Sequence, residues 1–492
     1  MPETVERLKG EPGCTGMNTS MKVKKMISLA MTVIMAGSLL AGCGGGNGNK
    51  AASQTSAAAA DSAKGGSTEA AAANVSIEYW HTMTGVNGEA MERQVENFNN
   101  TVGKENGITV KSVFQGDDVS EKLKTLAQAN DTKNFPDAAQ IVGAGIPSAL
   151  NYEQLVKVDD LYQAGANIHV AREDLDEHTV RAFSYQNELI CMPFNVSSIL
   201  LYYNKDMFEA AGLDAENPPA TIAEMADAIR ILTVKDGDNV TRYGLNVAVR
   251  RYQMSNWIGG QGEYNFFGDN EGGRAGMMTK VTFGEDGSLE KYLTEWEKVV
   301  QTGGYKEIED NINEEFSLEM FGMAIMSSAR IGKINELVGD KFQWATAPLP
   351  KVDSGDTGGT SVGGSCVAMF NKGDEKRVEA AWIFVQYLAS PEVQVDFDVA
   401  TGYLPVNTNV YEEEAMIQYL AENPHYATAV NQMLGSHPYV QEPFDIINWE
   451  IDEVIKNNMA EFGSGNQDKA TTLANIVKQC NEKLAAYVKA NQ

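Results

Sequence analysis

The sequence predicts an α/β protein. Three observations carry that expectation: β-rich and helical stretches take turns from residue 75 onward, the alternation resumes after residue 195 with no long linker, and hydrophobic residues make up 43 % of the 492-residue chain. At roughly 100–200 residues per domain, this length suggests two or three folding units.

Val75-Ser76-Ile77-Glu78-Tyr79-Trp80 alternates and is β-rich, which predicts a strand. From Asn87 the period changes, and Met91, Val95 and Phe98 recur at helical spacing. Residues 108–114 read as a second strand, Leu123, Leu126 and Ala127 as a helix, and residues 138–142 as a third strand. This order argues for a parallel, helix-covered sheet, whose ligands sit at the carboxyl ends of the strands. Trp80, Gln115 and the loop 143–145 then share one rim. A second unit is expected from about Asn195, with a strand at 200–203 and an amphipathic helix at 222–232 capped by Thr221. Later strands are expected at 323–326 and 367–370, later helices at 379–388 and 449–462. Absence of a linker fits two lobes that exchange segments. The expected division is 74–192 with 328–388 for one lobe, and 193–327 with 389–492 for the other.

The N-terminus reads as an address. Lys22, Lys24 and Lys25 precede an apolar run at 26–40, too short for the ~20 residues that span a bilayer. Leu40-Ala41-Gly42-Cys43 follows, so residues 21–42 have the order of a secretory signal peptide. Leu-Ala-Gly-Cys is similar to a bacterial lipobox, which implies acylation of the Cys43 thiol and a protein anchored by lipid at the outer face of the membrane. Residues 1–20 are poor signal material and read as a non-native extension; residues 43–73 are rich in Gly, Ala, Ser and Asn and read as a flexible tether.

The formal net charge of −28 argues against nucleic acid or an anionic lipid surface as partner. Cys191, Cys366 and Cys480 lie far apart and form no CxxC pair, so buried free thiols are expected. The five histidines show no metal-ligand spacing, no P-loop is present, and no cofactor is implied. Residues 359–363 match G-x-S-x-G, but a loop precedes them and a strand-like stretch follows, where a nucleophile elbow needs strand then helix. Asp236-Gly237-Asp238-Asn239 lacks the later ligands of a calcium loop and reads as a surface turn.

Several stretches together resemble the extracellular solute-binding proteins (family 1) of carbohydrate ABC importers, a group of glycerol-3-phosphate- and sugar-binding lipoproteins. They are Trp80-His81-Thr82-Met83, Tyr202-Tyr203-Asn204-Lys205-Asp206 with Ala211-Gly212-Leu213, and Thr401-Gly402-Tyr403-Leu404-Pro405. Residues 323–330 and Gly363-Gly364-Ser365 match more loosely, and the likeness runs from about Val75 to Val488. The resemblance implies a two-lobed periplasmic-binding-protein-like (Venus flytrap) fold, lobes joined by crossing strands, with ligand between them. It further implies a monomer that is not an enzyme, carries a carbohydrate to the transmembrane subunits of an ABC permease, and touches the membrane only through its lipid.

Carried over by the resemblance, the ligand candidates are Trp80, His81, Asp117, Asp118, Asn195, Ser197, Ser327, Ser328, Arg330, Gly363, Gly364 and Tyr403. Trp257 and Trp449 are added as plates for sugar faces. Each keeps a plainer reading: Trp80, Tyr403 and Trp449 as core, Gly363-Gly364 as a tight turn, Asp117-Asp118 as a helix cap. The glycerophosphate binders hold phosphate with an arginine after the Tyr-Leu-Pro turn, and here no arginine follows Arg377. The acidic stretch 449–453 stands there instead, which favours a neutral sugar over glycerol 3-phosphate or a glycerophosphodiester. Arg330 remains for a single negative group. A secreted glycoside hydrolase, with two carboxylates across the cleft, is the rival from another class; an adhesin with an open aromatic platform is a third reading.

The lipobox reading has a direct check. Replacing Cys43 by Ala is expected to abolish labelling by a radioactive fatty acid and move the protein from the membrane fraction to the medium.

Overall fold

The computed structural model describes residues 74–116, 119–307 and 310–490. The extension, signal, lipobox cysteine Cys43 and tether lie outside those residues, as do Asp117 and Asp118.

The first sheet forms as the alternation predicts. Val75–His81 is flanked in parallel by Ile108–Phe114 and Ala138–Val142. A later strand, Gly363–Phe370, returns antiparallel to Ala138–Val142 and also pairs with Leu155–Val156 and Met192–Ser197. Ala90, Met91, Val95 and Phe98 are the buried stripe of the helix Gly85–Asn100, the helical period doing what it predicts.

The second sheet runs Tyr305–Lys306, Asn239–Asn246, Phe321–Ser327, Ile199–Asn204, Trp344–Pro348. Every residue of Ile199–Asn204 is buried, because both faces are covered. Leu200, Tyr202, Ala324 and Met326 extend the apolar core of the first sheet. Leu201, Tyr203, Met323 and Ile325 face a separate core built with the helices Ile222–Leu232, Ser288–Val300 and Asn448–Gly463. The Thr221 cap is a complete capping box: Glu224 N–H donates to Thr221 Oγ1 at 3.2 Å while the Glu224 carboxylate accepts from Thr221 N–H at 3.2 Å.

The expected lobe boundary moves at the C-terminal end. Val393, Phe397, Leu404, Tyr426 and Met433 pack in the first core, whereas Ile451, Ile455, Met459, Ile476 and Leu484 pack in the second. Residues 389–492 therefore divide, and the stretch between Met433 and Ile451 is a further crossing. The helix Pro391–Thr401 is held to the first lobe by Asp396, which accepts from Arg93 Nη2 at 3.0 Å on the helix Gly85–Asn100.

The crossings meet at one residue. Ser198 alone separates Met192–Ser197 in the first sheet from Ile199–Asn204 in the second. Its N–H donates to Ser328 Oγ at 3.2 Å, and its carbonyl accepts from Ser328 N–H at 2.7 Å. Its hydroxyl lies 2.7 Å from Thr360 Oγ1 and accepts from Gln432 Nε2 at 2.6 Å. Gln432 also donates to the Ile199 carbonyl at 2.8 Å and accepts from Leu349 N–H at 2.7 Å. All four polar side chains are buried. Cys191, Cys366 and Cys480 are buried free thiols, as expected. Among the described residues no helix is long and apolar enough to cross a membrane.

Gln432→Leu keeps the volume but takes the partner from the Leu349 N–H and a donor from the Ile199 carbonyl, while the Ser198 hydroxyl keeps Thr360, at about 1–3 kcal/mol for each buried group left unsatisfied. Urea unfolding is expected to show a loss of at least about 2 kcal/mol; a loss below about 0.5 kcal/mol would show the knot to be replaceable by packing.

Candidate functional site

A cleft of about 450 Å³ opens above the crossing segments. One wall belongs to the first lobe: Ser120, Glu121 and Lys124 on the helix Val119–Gln128, the turn after Ala138–Val142, and Tyr152. The other wall is the start of the helix Arg251–Gly259, preceded by Arg250, together with Glu442 and the start of the helix Asn448–Gly463. Ser197, Gly363 and Gly364 contribute from the crossings. The site thus lies at carboxyl ends of parallel strands, where such sheets place ligands. Asn448 Nδ2 bridges the two walls, donating to the Ala144 carbonyl at 2.8 Å.

Trp449 lines the cleft with 66 % of its surface exposed, an unspent aromatic face at the mouth of a polar groove. Three residues on, Asp452 pairs with Arg250, accepting from Nε at 2.8 Å and also from Nη2. Arg251 is 3 % exposed; it bonds Glu442 at 2.9 Å and the Pro443 carbonyl at 3.1 Å, with Asp445 3.5 Å away. Among the described lining residues Lys124, Arg250 and Arg251 stand against Glu121, Glu442 and Asp452, so the charges balance. The arginines were not legible as site residues. Their one signal is position: two adjacent guanidiniums after the apolar Val247-Ala248-Val249, in a chain with 39 basic against 67 acidic residues.

Of the sequence-predicted ligand residues, Ser197, Gly363, Gly364 and Trp449 come together in the cleft. The glycines, however, make room for protein. A Cβ on Gly363 would stand 2.5 Å from the Tyr252 hydroxyl, and one on Gly364, whose φ is +88°, 2.3 Å from the Asn195 carbonyl. The pairing register shifts just after Gly364, which makes it the residue that bends the strand out of the crossing.

The others lie elsewhere. Trp257 is 2 % exposed, stacked on Tyr292 with its Nε1 donating to the Pro350 carbonyl at 3.0 Å; it is core of the second lobe and offers no face to a sugar. Ser328 is fully buried at the Ser198 crossing. Trp80 is buried on the sheet, its Nε1 bonded to Glu78, and lines a shallow groove with Lys122 and Asn134. His81 is also buried, 3.3 Å from Glu92; burial outweighs that carboxylate and lowers its pKa. Asn195 is buried and accepts from Gln140 Nε2 at 3.2 Å. Tyr403 stacks on Phe397 and its carbonyl accepts from the Tyr426 hydroxyl at 2.6 Å; burial raises its pKa. Ser327 Oγ accepts from Ala329 N–H at 3.3 Å, and Arg330 is exposed and bonds Asn313 at 3.3 Å. Ser361 of the G-x-S-x-G match is buried, donates to Asn256 Oδ1 at 3.1 Å and leads into a strand, not the helix a nucleophile elbow needs.

The family described as bacterial extracellular solute-binding protein matches residues 94–428. The sn-glycerol-3-phosphate-binding periplasmic protein UgpB of Rhizobium meliloti (strain 1021) is 24 % identical over 428 residues, 85 % of this chain and 96 % of that protein. Among solved structures, the cyclic α-maltosyl-1,6-maltose binding protein of Arthrobacter globiformis aligns with a TM-score of 0.68 at 18 % identity, covering 84 % of this chain and 99 % of the other. UgpB of Mycobacterium tuberculosis, in complex with glycerophosphocholine, aligns with a TM-score of 0.65 at 20 % identity over 84 % and 98 % of the two chains. The fold is theirs: two lobes joined by crossing strands.

Asp445, buried behind the cleft residue Arg251, carries a pH signature. Burial pushes its pKa from 3.8 up to about 6, against the pull of the Arg251 guanidinium. The folded state therefore binds the proton more tightly than the unfolded chain does, and stability falls as pH rises from about 4 to about 6. Asp445→Asn removes this contribution. Between pH ~4 and pH ~7 the stability difference between variant and parent is expected to move in the variant's favour by about 1–3 kcal/mol, read from urea unfolding at both pH values; a constant difference would place the titration elsewhere.

Proposed function

The chain belongs to the bacterial extracellular solute-binding protein family, and from that premise we propose that it captures a neutral sugar or short oligosaccharide in the interlobe cleft and delivers it to the transmembrane subunits of an ABC importer. The single observation that carries this ligand class is the pairing of every cleft arginine with a carboxylate beside an exposed tryptophan: Arg250 with Asp452, Arg251 with Glu442, and Trp449 at the mouth. A saccharide has an apolar ring face and a rim of neutral hydroxyls. An aromatic plate meets the first; fixed carboxylates and guanidiniums meet the second without leaving a net charge. Each polar group mismatched in such a site costs about 1–3 kcal/mol, which is where discrimination among sugars arises.

The glycerophosphate reading has its own support in the named relatives and in the presence of two arginines. A phosphate, however, needs a charge-assisted and preferably bidentate partner, and both guanidiniums are already engaged. The hydrolase reading needs two carboxyl groups facing each other, one free to donate a proton; of the cleft's acids, Glu442 and Asp452 are paired with Arg251 and Arg250, and Glu121 lies 3.7 Å from Lys124 on its own helix. Closure on the ligand follows from contact with both walls, since only a ligand that binds the closed arrangement better drives it. In this reading Cys43 carries the lipid, the stretch to residue 73 is the tether, and the protein works as a monomer outside the cell membrane.

Thermal-shift screening against sugars, polyols and glycerophosphodiesters tests the ligand class. Binding to the native state adds about 2.7 kcal/mol at a hundredfold excess over Kd, so a saccharide is expected to raise Tm; a rise with glycerophosphates alone would overturn the reading. Trp449→Ala is then expected to weaken saccharide binding by roughly tenfold or more, and unchanged affinity would remove the plate from the site.

A further inference from the structure

We infer that Asp452 is a specificity residue that shuts anionic solutes out of the cleft by occupying the binding edge of Arg250. The inference rests on the cleft being the solute site. Its observations are the separate engagements of the two oxygens of one carboxylate. Asp452 Oδ1 accepts from the Arg251 N–H at 2.9 Å, which ties the start of the helix Arg251–Gly259 to the helix Asn448–Gly463. Asp452 Oδ2 accepts from Arg250 Nε at 2.8 Å and from Nη2.

Nε and Nη2 form the edge of a guanidinium that matches a carboxylate or phosphate in bidentate fashion. With that edge filled from within the protein, an incoming phosphate gains it only by displacing Asp452, whose charge stays nearby because its other oxygen is held by a backbone amide. Repulsion and the lost pair then act together against the anion. A sugar hydroxyl meets no such opposition, because it carries no charge and can donate to one partner and accept from another. The same carboxylate shares a helix face with Trp449, three residues earlier. The element that offers the apolar plate therefore also rejects the charged competitor, and selection by rejection is as effective as selection by attraction.

The test uses the purified chain, with sn-glycerol 3-phosphate as charged probe and glycerol as neutral control, by isothermal titration calorimetry. Asp452→Asn keeps an oxygen for the Arg251 N–H but removes the charge and one acceptor. Asp452→Ser keeps a hydroxyl acceptor and serves as a second route should the amide disturb folding, which the melting curve reports. The expected result is that either folded variant binds sn-glycerol 3-phosphate roughly tenfold or more tightly than the parent, glycerol remains unbound, and the gain disappears in the Arg250→Gln/Asp452→Asn double variant. No gain in either variant overturns the inference while leaving the saccharide reading intact. A gain that survives loss of Arg250 also overturns it, since another group would hold the phosphate. Tight binding of the probe by the parent overturns the saccharide reading, and the rejecting role with it.

Discussion

The hydrogen bonds around Ser198 are the constraint on which the rest of the structure depends. Two sheets that exchange segments, as here, are joined by several covalent passages, and every passage carries backbone amides and carbonyls away from a ladder. Buried backbone groups without partners cost more than most single contacts return. Ser198, Ser328, Thr360 and Gln432 settle that account with short side chains that bond each other and the chain between the lobes. Bulky apolar residues at the same place would fill space but leave the amides unmatched.

The cleft follows from this junction. Because the first three strands of the first lobe run parallel, their carboxyl ends and the turns beyond them point to one edge. The crossings set the second lobe's helices against that edge, with Asn448 touching Ala144 across it. Gly363 and Gly364 belong to the junction as much as to the site: one admits Tyr252, the other bends the strand with a positive φ. The cleft's charge is likewise a product of assembly. Arg250 and Arg251 come from the start of one helix, Asp452 from another some two hundred residues away in sequence, and Glu442 from the loop between lobes. What presents to a solute is a strongly polar groove whose described lining charges balance, with the exposed face of Trp449 among them.

Much of this was legible beforehand and some was not. The strands and helices of the first sheet were readable because period and burial coincide: Met91, Val95 and Phe98 recur at helical spacing and are buried together. The capping of the helix Ile222–Leu232 was readable because a cap is a local bond. Trp257 and Trp449 show the limit. Both are tryptophans on helices, both were chosen as plates, and one is sealed against Tyr292 while the other stands open. Nothing local separates them, since the difference lies in which neighbours distant segments supply. Ser328 was read as a ligand contact and is a structural one, because its partner Ser198 lies 130 residues earlier. The stretch 389–492 was assigned to one lobe and serves both.

The amino-acid sequence by itself determined the α/β class, the positions of most strands and helices, the absence of a nucleophile elbow around Ser361 and the family likeness. Each of these rests on residues near one another in the chain, where periodicity, capping and motif order act. Only the tertiary structure decided that Arg250 and Arg251 face the cleft already paired, that Trp449 and not Trp257 is exposed there, and that Ser198 is the junction of the lobes. Those outcomes depend on contacts between segments from some tens to about two hundred residues apart, and burial and charge pairing at such distances leave no periodic trace in a single sequence.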